Sequence, residues 1–384
     1  MTKRISTLVG GAALIICNGA AIAAPFGSFD ARSAGMGNTG VASATIANAP
    51  FFNPALLSFQ KPKEDFALLA TVGARVADPS GLIDDIEAFK SAYDSFTTTG
   101  NPSYVTAGNA ALASANGKAA LVDVNAAVSL GFSGIDWGGA FMLNGYSLNG
   151  ISITKGADDF DADPNNDSKL NLVGLQVTEI GASLARGFGP EDSRFALGVT
   201  PKYMKIKTND YQKRLVDVST DAGDIIDNPM NQTEATTVNA DLGLIYGDPL
   251  GWRAGLAVRN LASKDYMTTT GRTISLEPQP RAGVAYSNNW VTLAVDADLK
   301  DNKPVADGQD QKTRMLAVGT ELNVLDFLQL RLGVQRNLAD TGAAKALDLY
   351  SVGVGVAVLG VHVDLAAVGN QNAIGVVAEL GFRF

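Results

Sequence analysis

The sequence predicts an all-β fold, a transmembrane antiparallel β-barrel of about fourteen strands with an N-terminal plug segment. Three observations carry this: hydrophobicity alternating with period two, connections alternating between tight and long, and an export address at the start of the chain. Residues 1–23 are expected to be a signal peptide, 24–60 the plug, and 61–384 the barrel.

The address comes first. Lys3 and Arg4 give a positive start, Leu8 to Ile16 a short apolar stretch, and Ala21-Ile22-Ala23 a small-residue cleavage site. Cys17 does not read as a lipid-attachment site, because Ile16 stands where a small residue is needed. Since Cys17 is the one cysteine of the chain, the processed protein is expected to have no disulfide, no thiol catalysis and no cysteine metal site. The formal net charge is −9. Loss of Lys3 and Arg4 makes the processed chain more acidic still, which argues against nucleic acid as a partner.

The strands come next. Expected segments lie near 64–77, 119–132, 135–148, 169–188, 192–208, 234–247, 251–261, 279–287, 290–299, 312–323, 327–337, 347–358, 360–369 and 372–384. The last is the clearest: Ile374, Val376, Ala378, Leu380, Phe382 and Phe384 fall on one face, and Gly375, Val377, Glu379, Gly381 and Arg383 on the other. Val291, Leu293 and Val295 likewise alternate with Thr292, Ala294 and Asp296. Charged residues on one face would cost several kcal/mol against a dry core, whereas a wet interior removes that cost. The lumen-facing charges are therefore expected to be Arg253, Arg259, Asp296, Asp298, Glu321, Arg331, His362, Asp364, Glu379 and Arg383. A ladder of ion pairs among them would fill and stiffen the interior.

Connections give the topology. Ser133-Gly134, Gly189-Pro190-Glu191, Asp248-Pro249-Leu250, Asn288-Asn289 and Val324-Leu325-Asp326 are tight, and the intervening links are mostly long. Short periplasmic turns and long outer loops have this rhythm, which places both chain ends on the periplasmic side of an outer membrane. In the first long loop, Leu82, Ile83, Ile86, Phe89 and Tyr93 are spaced for a short amphipathic helix. The run Asp158 to Asp163 reads as a solvated acidic loop, since it lacks the glycine and terminal glutamate of a calcium loop.

Residues 26–58 carry a motif. Ala31-Arg32-Ser33-Ala34-Gly35-Met36-Gly37, Gly40-Val41-Ala42 and Asn53-Pro54-Ala55 resemble the start of outer-membrane proteins related to the FadL hydrocarbon transporters, and most of all the branch of conjugal-transfer TraF-like proteins. The likeness continues through Leu143-Asn144-Gly145-Tyr146, Gly198-Val199-Thr200-Pro201-Lys202-Tyr203 and Arg281-Ala282-Gly283-Val284. It implies that this segment folds into the lumen as a plug, with Arg32, Gly35, Gly37, Asn53 and Pro54 as its motif residues. Elementary chemistry agrees: Phe51, Phe52, Leu56 and Leu57 need burial, Gly35 and Gly37 offer backbone freedom for tight turns, and Asn53-Pro54 stops a helix. Phe382 and Phe384 resemble the C-terminal signal read by the barrel-insertion machinery.

Chemistry is sparse. His362 is the lone histidine, so it reads as a satisfied interior residue rather than a ligand or base. Gly35-Met36-Gly37 lacks the Lys-Ser or Lys-Thr of a phosphate loop, and there is no G-x-S-x-G elbow. We therefore expect no enzyme, cofactor or metal site. The expected partners are outer-membrane lipid, the insertion machinery and other envelope or conjugation proteins. A lumen face rich in glycine and charge and poor in large apolar groups argues against a greasy cargo. The expected function is thus a non-enzymatic envelope component linked to conjugal plasmid transfer, with a FadL-like transporter of hydrophobic small molecules as the alternative.

Overall fold

The computed structural model describes residues 30–59, 65–78, 80–134, 136–156, 167–190, 192–215, 229–302, 312–324, 327–339 and 348–384. The expected signal peptide and the Asp158 to Asp163 run lie outside them.

Among the described residues sixteen strands follow in order: β1 (Phe66–Ala77), β2 (Ala119–Ser133), β3 (Trp137–Thr154), β4 (Lys169–Phe188), β5 (Arg194–Arg214), β6 (Gln232–Gly247), β7 (Trp252–Arg259), β8 (Lys264–Met267), β9 (Thr273–Leu276), β10 (Gln279–Ser287), β11 (Val291–Asp298), β12 (Met315–Val324), β13 (Leu328–Asn337), β14 (Leu349–Val358), β15 (Val361–Asn370) and β16 (Ala373–Arg383). All but β8 and β9 form one closed antiparallel barrel in which each strand pairs with its sequence neighbours and β1 pairs with β16. This is the fourteen-strand barrel that the alternation predicted, and closure leaves no strand edge to satisfy in lipid. The seam is completed at Phe384, whose carbonyl accepts from the Phe66 amide at 3.1 Å and whose amide donates to the Phe66 carbonyl at 3.0 Å.

The outer wall is apolar. Leu330, Leu332, Val334, Val352, Val363, Leu365, Val376 and Leu380 are exposed on it, while their neighbours Arg331, Ser351, Asp364 and Glu379 are buried inside. Aromatic side chains gather at the tight-turn end, where the Trp252 and Tyr286 rings lie 5.2 Å apart and the Arg186 guanidinium sits 4.9 Å over Trp137. Such a girdle marks a membrane interface. No helix among the described residues is long and apolar enough to cross a membrane, so the strands do the crossing. The protein is an outer-membrane barrel. Arginine at the bilayer midplane costs about 2–4 kcal/mol, so Leu332→Arg, near the middle of β13, is expected to lower unfolding stability in lipid vesicles by that amount. Unchanged stability would remove this position from the hydrocarbon.

Both helices of the first long loop stand at the barrel's outer end. α3 (Leu82–Thr99) corresponds to the amphipathic stretch, and α4 (Ser103–Ala115) was not expected. They pack Leu82, Phe89 and Leu112 against Ile153 and Leu170 of the wall. The hairpin β8–β9 was likewise missed, and β3 and β5 run six residues beyond their expected ends. At Tyr146 to Gly150 of β3 every residue is buried, which ends the inside–outside contrast seen nearer the tight turns.

Residues 30–59 lie inside the ring. They form α1 (Ala31–Gly35), α2 (Ala49–Phe52) and a 3₁₀ turn (Pro54–Ser58), and all are buried except the half-buried Thr45. Asp30 caps α1 by accepting from the Ser33 amide, and α2 ends at Asn53, whose extended backbone leads into Pro54. Gly37 adopts φ 67°, where glycine is favoured. Gly35 does not have a positive φ, and its constraint is contact: a Cβ there would lie 3.0 Å from the Cα of Gly353.

Candidate functional site

Glycines on the inner wall form the floor on which the plug rests. A Cβ on Gly319 would come within 2.1 Å of the Met36 carbonyl oxygen, one on Gly333 within 2.0 Å of the Gly37 amide nitrogen, and one on Gly198 within 2.3 Å of the Ala55 amide nitrogen. The glycine-rich lumen face is thus a surface of close backbone approach, which alternation alone could not show.

Buried charges hold the plug in place. Arg32 forks onto Glu321, Nε to Oε2 and Nη2 to Oε1, each at 2.9 Å, and its Nη1 donates to the Ser43 carbonyl at 2.8 Å. Glu321 Oε2 also accepts from Arg331 Nε at 2.7 Å, and Arg331 Nη1 reaches Asp364. His362 Nε2 lies 3.8 Å from Asp364 Oδ2 and 3.3 Å from Glu379 Oε1, and Glu379 Oε2 accepts from the Ala31 amide at 2.9 Å. The chain of contacts leaves the plug at Arg32, crosses β12, β13, β15 and β16, and returns at Ala31. Desolvation pulls the Arg32 guanidinium down, but the Glu321 carboxylate outweighs it and holds the group above its ordinary value. Burial pushes the Asp30 carboxyl up, opposed by the Ser33 amide and Asn48.

Other interior groups continue the pattern. Asp296 Oδ2 accepts from the Gly40 and Val41 amides at 2.8 and 2.9 Å. Arg253 donates to the Ala42 carbonyl, Arg194 Nε to the Ser58 carbonyl at 2.9 Å, and Asn53 Nδ2 to the carbonyls of Val41 and Leu244. Asp298 stands 3.4 Å from Arg281, and Arg383 lines a cavity beneath the plug. That cavity, about 870 Å³, lies at the tight-turn end between Arg32, Glu321, Arg331, His362 and the turn residues Asn289 and Trp290. Of the ten expected lumen charges, Asp296, Arg253 and Glu379 bind plug backbone, whereas Glu321, Arg331, Asp364, His362 and Glu379 pair with one another.

The sequence reading missed a second charged layer. Lys202 Nζ sits 3.0 Å from both Glu179 Oε1 and Asp241 Oδ1, while Arg259 Nη2 is 3.3 Å from Glu179 Oε2 and Asn144 donates to that oxygen. Only Arg259 was anticipated. Strict alternation of Lys202 with exposed Tyr203 and of Glu179 with exposed Ile180 was the available signal.

Farther out along β3, β4 and β5 the lining turns apolar. Leu148, Val173, Leu175, Val177, Met204 and Ile206 are buried there and cluster with Tyr266, Ile274 and Leu276 of the β8–β9 hairpin. Thr268 of the intervening turn donates to Asp210 at 2.8 Å, and the Met267 carbonyl accepts from Thr233, so the hairpin is pinned to the rim. The expectation of a lumen poor in large apolar groups is therefore corrected. It described β11–β16; at this level of β3–β5 the inward residues are apolar, while their outward neighbours Ser147, Gln176 and Lys205 are polar, the reverse of the contrast that marks a lumen face.

Comparison with known proteins fits this architecture. The profile of the family described as "F plasmid transfer operon, TraF, protein" matches residues 50–298, more than half of the chain. The chain belongs to that family. No curated protein matches it by sequence. Among solved structures it is similar to the Pseudomonas putida toluene transporter TodX, with 15% identity and a TM-score of 0.53, over 93% of this chain and 99% of that one. It is similar to the Ralstonia pickettii toluene transporter TbuX, with 14% identity, a TM-score of 0.56 and coverage of 93% and 98%. A Pseudomonas aeruginosa FadL homologue gives 14% identity, a TM-score of 0.54 and coverage of 95% and 99%. At these identities the likeness establishes a shared fold: the FadL-type barrel.

Proposed function

We propose that this barrel carries a hydrophobic small molecule across the outer membrane, without catalysis. The observation that carries the reading is the apolar lining of β3–β5 packed under the β8–β9 hairpin, outside a charged layer and a plug. An apolar solute packing against it sheds water, contributing about 0.8 kcal/mol for each CH₂ buried. The Glu179–Lys202–Asp241 layer then prevents uninterrupted greasy passage inward, so transit requires the plug region to rearrange. The toluene transporters that share the fold support the same substrate class. On this reading lipid is the barrel's solvent, and Phe382 and Phe384 are the residues that the insertion machinery engages.

Purified barrel in liposomes is expected to take up a monoaromatic hydrocarbon or a long-chain fatty acid faster than empty liposomes. Val177→Asp, which puts a carboxylate in the apolar lining, is expected to slow uptake about tenfold through its desolvation cost. Equal uptake by loaded and empty liposomes would end the transport reading.

The family description favours a second reading, an envelope component of conjugal transfer. That role requires gene deletion to lower plasmid mating frequency. Unchanged mating together with slower hydrocarbon uptake would decide for transport.

A further inference from the structure

The junction between the plug and the last two strands brings together three donor atoms that the sequence keeps apart. The β15–β16 register sets Asp364 opposite Glu379 and His362 opposite Gly381. Gly381 is needed there: a Cβ would lie 2.2 Å from His362 Cε1 and 2.3 Å from Nε2, so the imidazole lies flat over the neighbouring strand. In that pose Nε2 stands 3.3 Å from Glu379 Oε1 and 3.8 Å from Asp364 Oδ2, and all three atoms lie within 4.8 Å of one another.

The remaining carboxylate oxygens are held by other groups. Arg331 Nη1 donates to Asp364 Oδ1, and the Ala31 amide donates to Glu379 Oε2. Each carboxylate is thus oriented by one oxygen while the other turns to the imidazole, which is how outer-shell partners aim metal ligands.

A second observation concerns charge. Asp30, the residue before Ala31, is fully buried. Its Oδ1 accepts from the Ser33 amide and Asn48, and its Oδ2 has no hydrogen-bond partner among the described residues. Around this junction Asp30, Glu321, Asp364 and Glu379 face the cations Arg32 and Arg331. One side of the cluster opens on the cavity beneath the plug, where water can complete a coordination shell.

We propose that His362 Nε2, Asp364 Oδ2 and Glu379 Oε1 form a site for one divalent transition-metal cation of the zinc class. An imidazole with two carboxylates suits such ions, whereas calcium and magnesium take oxygen ligands alone. Bonds of about 2.0–2.2 Å would place tetrahedral ligand atoms roughly 3.3–3.6 Å apart, close to the separations seen from Nε2. Bound there, the cation clamps the wall to the plug, because Glu379 also holds the Ala31 amide. In sequence His362 is a lone histidine with no second histidine to share a metal; Glu379 comes beside it only through register. The proposal does not depend on what the barrel transports.

The test uses full-length, tag-free barrel, folded in detergent and stripped with chelator. Titration with Zn²⁺ is expected to show one saturable site per chain, weakened at least about tenfold in His362→Gln and in Glu379→Gln. With Cu²⁺ as probe, pulsed electron paramagnetic resonance is expected to show the remote-nitrogen modulation of an imidazole and to lose it in His362→Gln. The assignment is unambiguous because the chain has one histidine. Heat-modifiable mobility checks that each variant is a closed barrel. Should Glu379→Gln not fold, His362→Gln decides alone, since His362 meets the plug by way of Glu379. Absence of saturable binding, or binding unchanged in His362→Gln, overturns the proposal.

Discussion

Glu321→Ala is expected to undock the plug while the barrel stays closed. Glu321 is the shared counter-ion of Arg32 and Arg331, and the side chains of all three are no more than 10% exposed. Removing it leaves two guanidiniums facing each other in a poorly hydrated interior. Breaking a buried pair in this way costs about 3–5 kcal/mol, mostly because the stranded charge has nowhere to go. Arg331 keeps Asp364, so Arg32 loses more, and Arg32 belongs to the plug. The fourteen wall strands keep their ladder hydrogen bonds. Limited proteolysis is therefore expected to cut within residues 30–59 of the variant, ion conductance across planar bilayers to rise, and heat-modifiable mobility to persist. A plug still protected at wild-type protease concentrations would show that the Arg32–Glu321 fork does not hold it.

Gly319→Val and Gly333→Val are expected to expel the plug by the opposite route, overfilling instead of stranding charge. The atoms that a new Cβ would meet, the Met36 carbonyl oxygen and the Gly37 amide nitrogen, are backbone and lie at 2.1 and 2.0 Å, so no rotamer change relieves the clash. Overpacking costs about 1–3 kcal/mol per site. Valine itself suits a strand better than glycine does, so the wall is not the part that suffers. Gly145→Val is the control, because its Cβ would meet only the Ala126 carbonyl oxygen at 3.9 Å. Conductance and protease sensitivity are expected to rise in the first two variants and not in the third. Equal behaviour of all three would mean that the glycine floor does not support the plug.

The two kinds of contact differ in how far they could be read in advance. Leu330, Leu332 and Val334 alternating with Arg331, Gly333 and Gln335 was legible because it is local: side-chain direction reverses at every residue of a strand, whatever the rest of the chain does. The same logic placed Asp296, Glu321, Asp364 and Glu379 inside. It was not carried to Glu179 and Lys202, although each alternates with an exposed apolar neighbour, Ile180 and Tyr203. It failed for the hairpin at Lys264–Met267 and Thr273–Leu276, whose four-residue strands are too short to show a period.

Partners were another matter. Arg32 and Glu321 are separated by 289 positions, and Gly35 and Ser351 by 316. No property of either residue names the other. Gly319 and Gly333 look in sequence like ordinary curvature points, and their use as a floor depends on a segment that precedes the first strand.

The sequence by itself determined that this chain is a membrane-crossing ring of strands, which side of each strand meets lipid, and which end carries the short turns. Those properties follow from a two-residue period and from connection length, both local. Only the tertiary structure decided which interior charge meets which, that the inner glycines carry the plug, and that the outer part of the lining is apolar. These depend on inter-strand register and on a folded-in segment, and a one-residue change of register would reverse every pairing while leaving composition and period untouched.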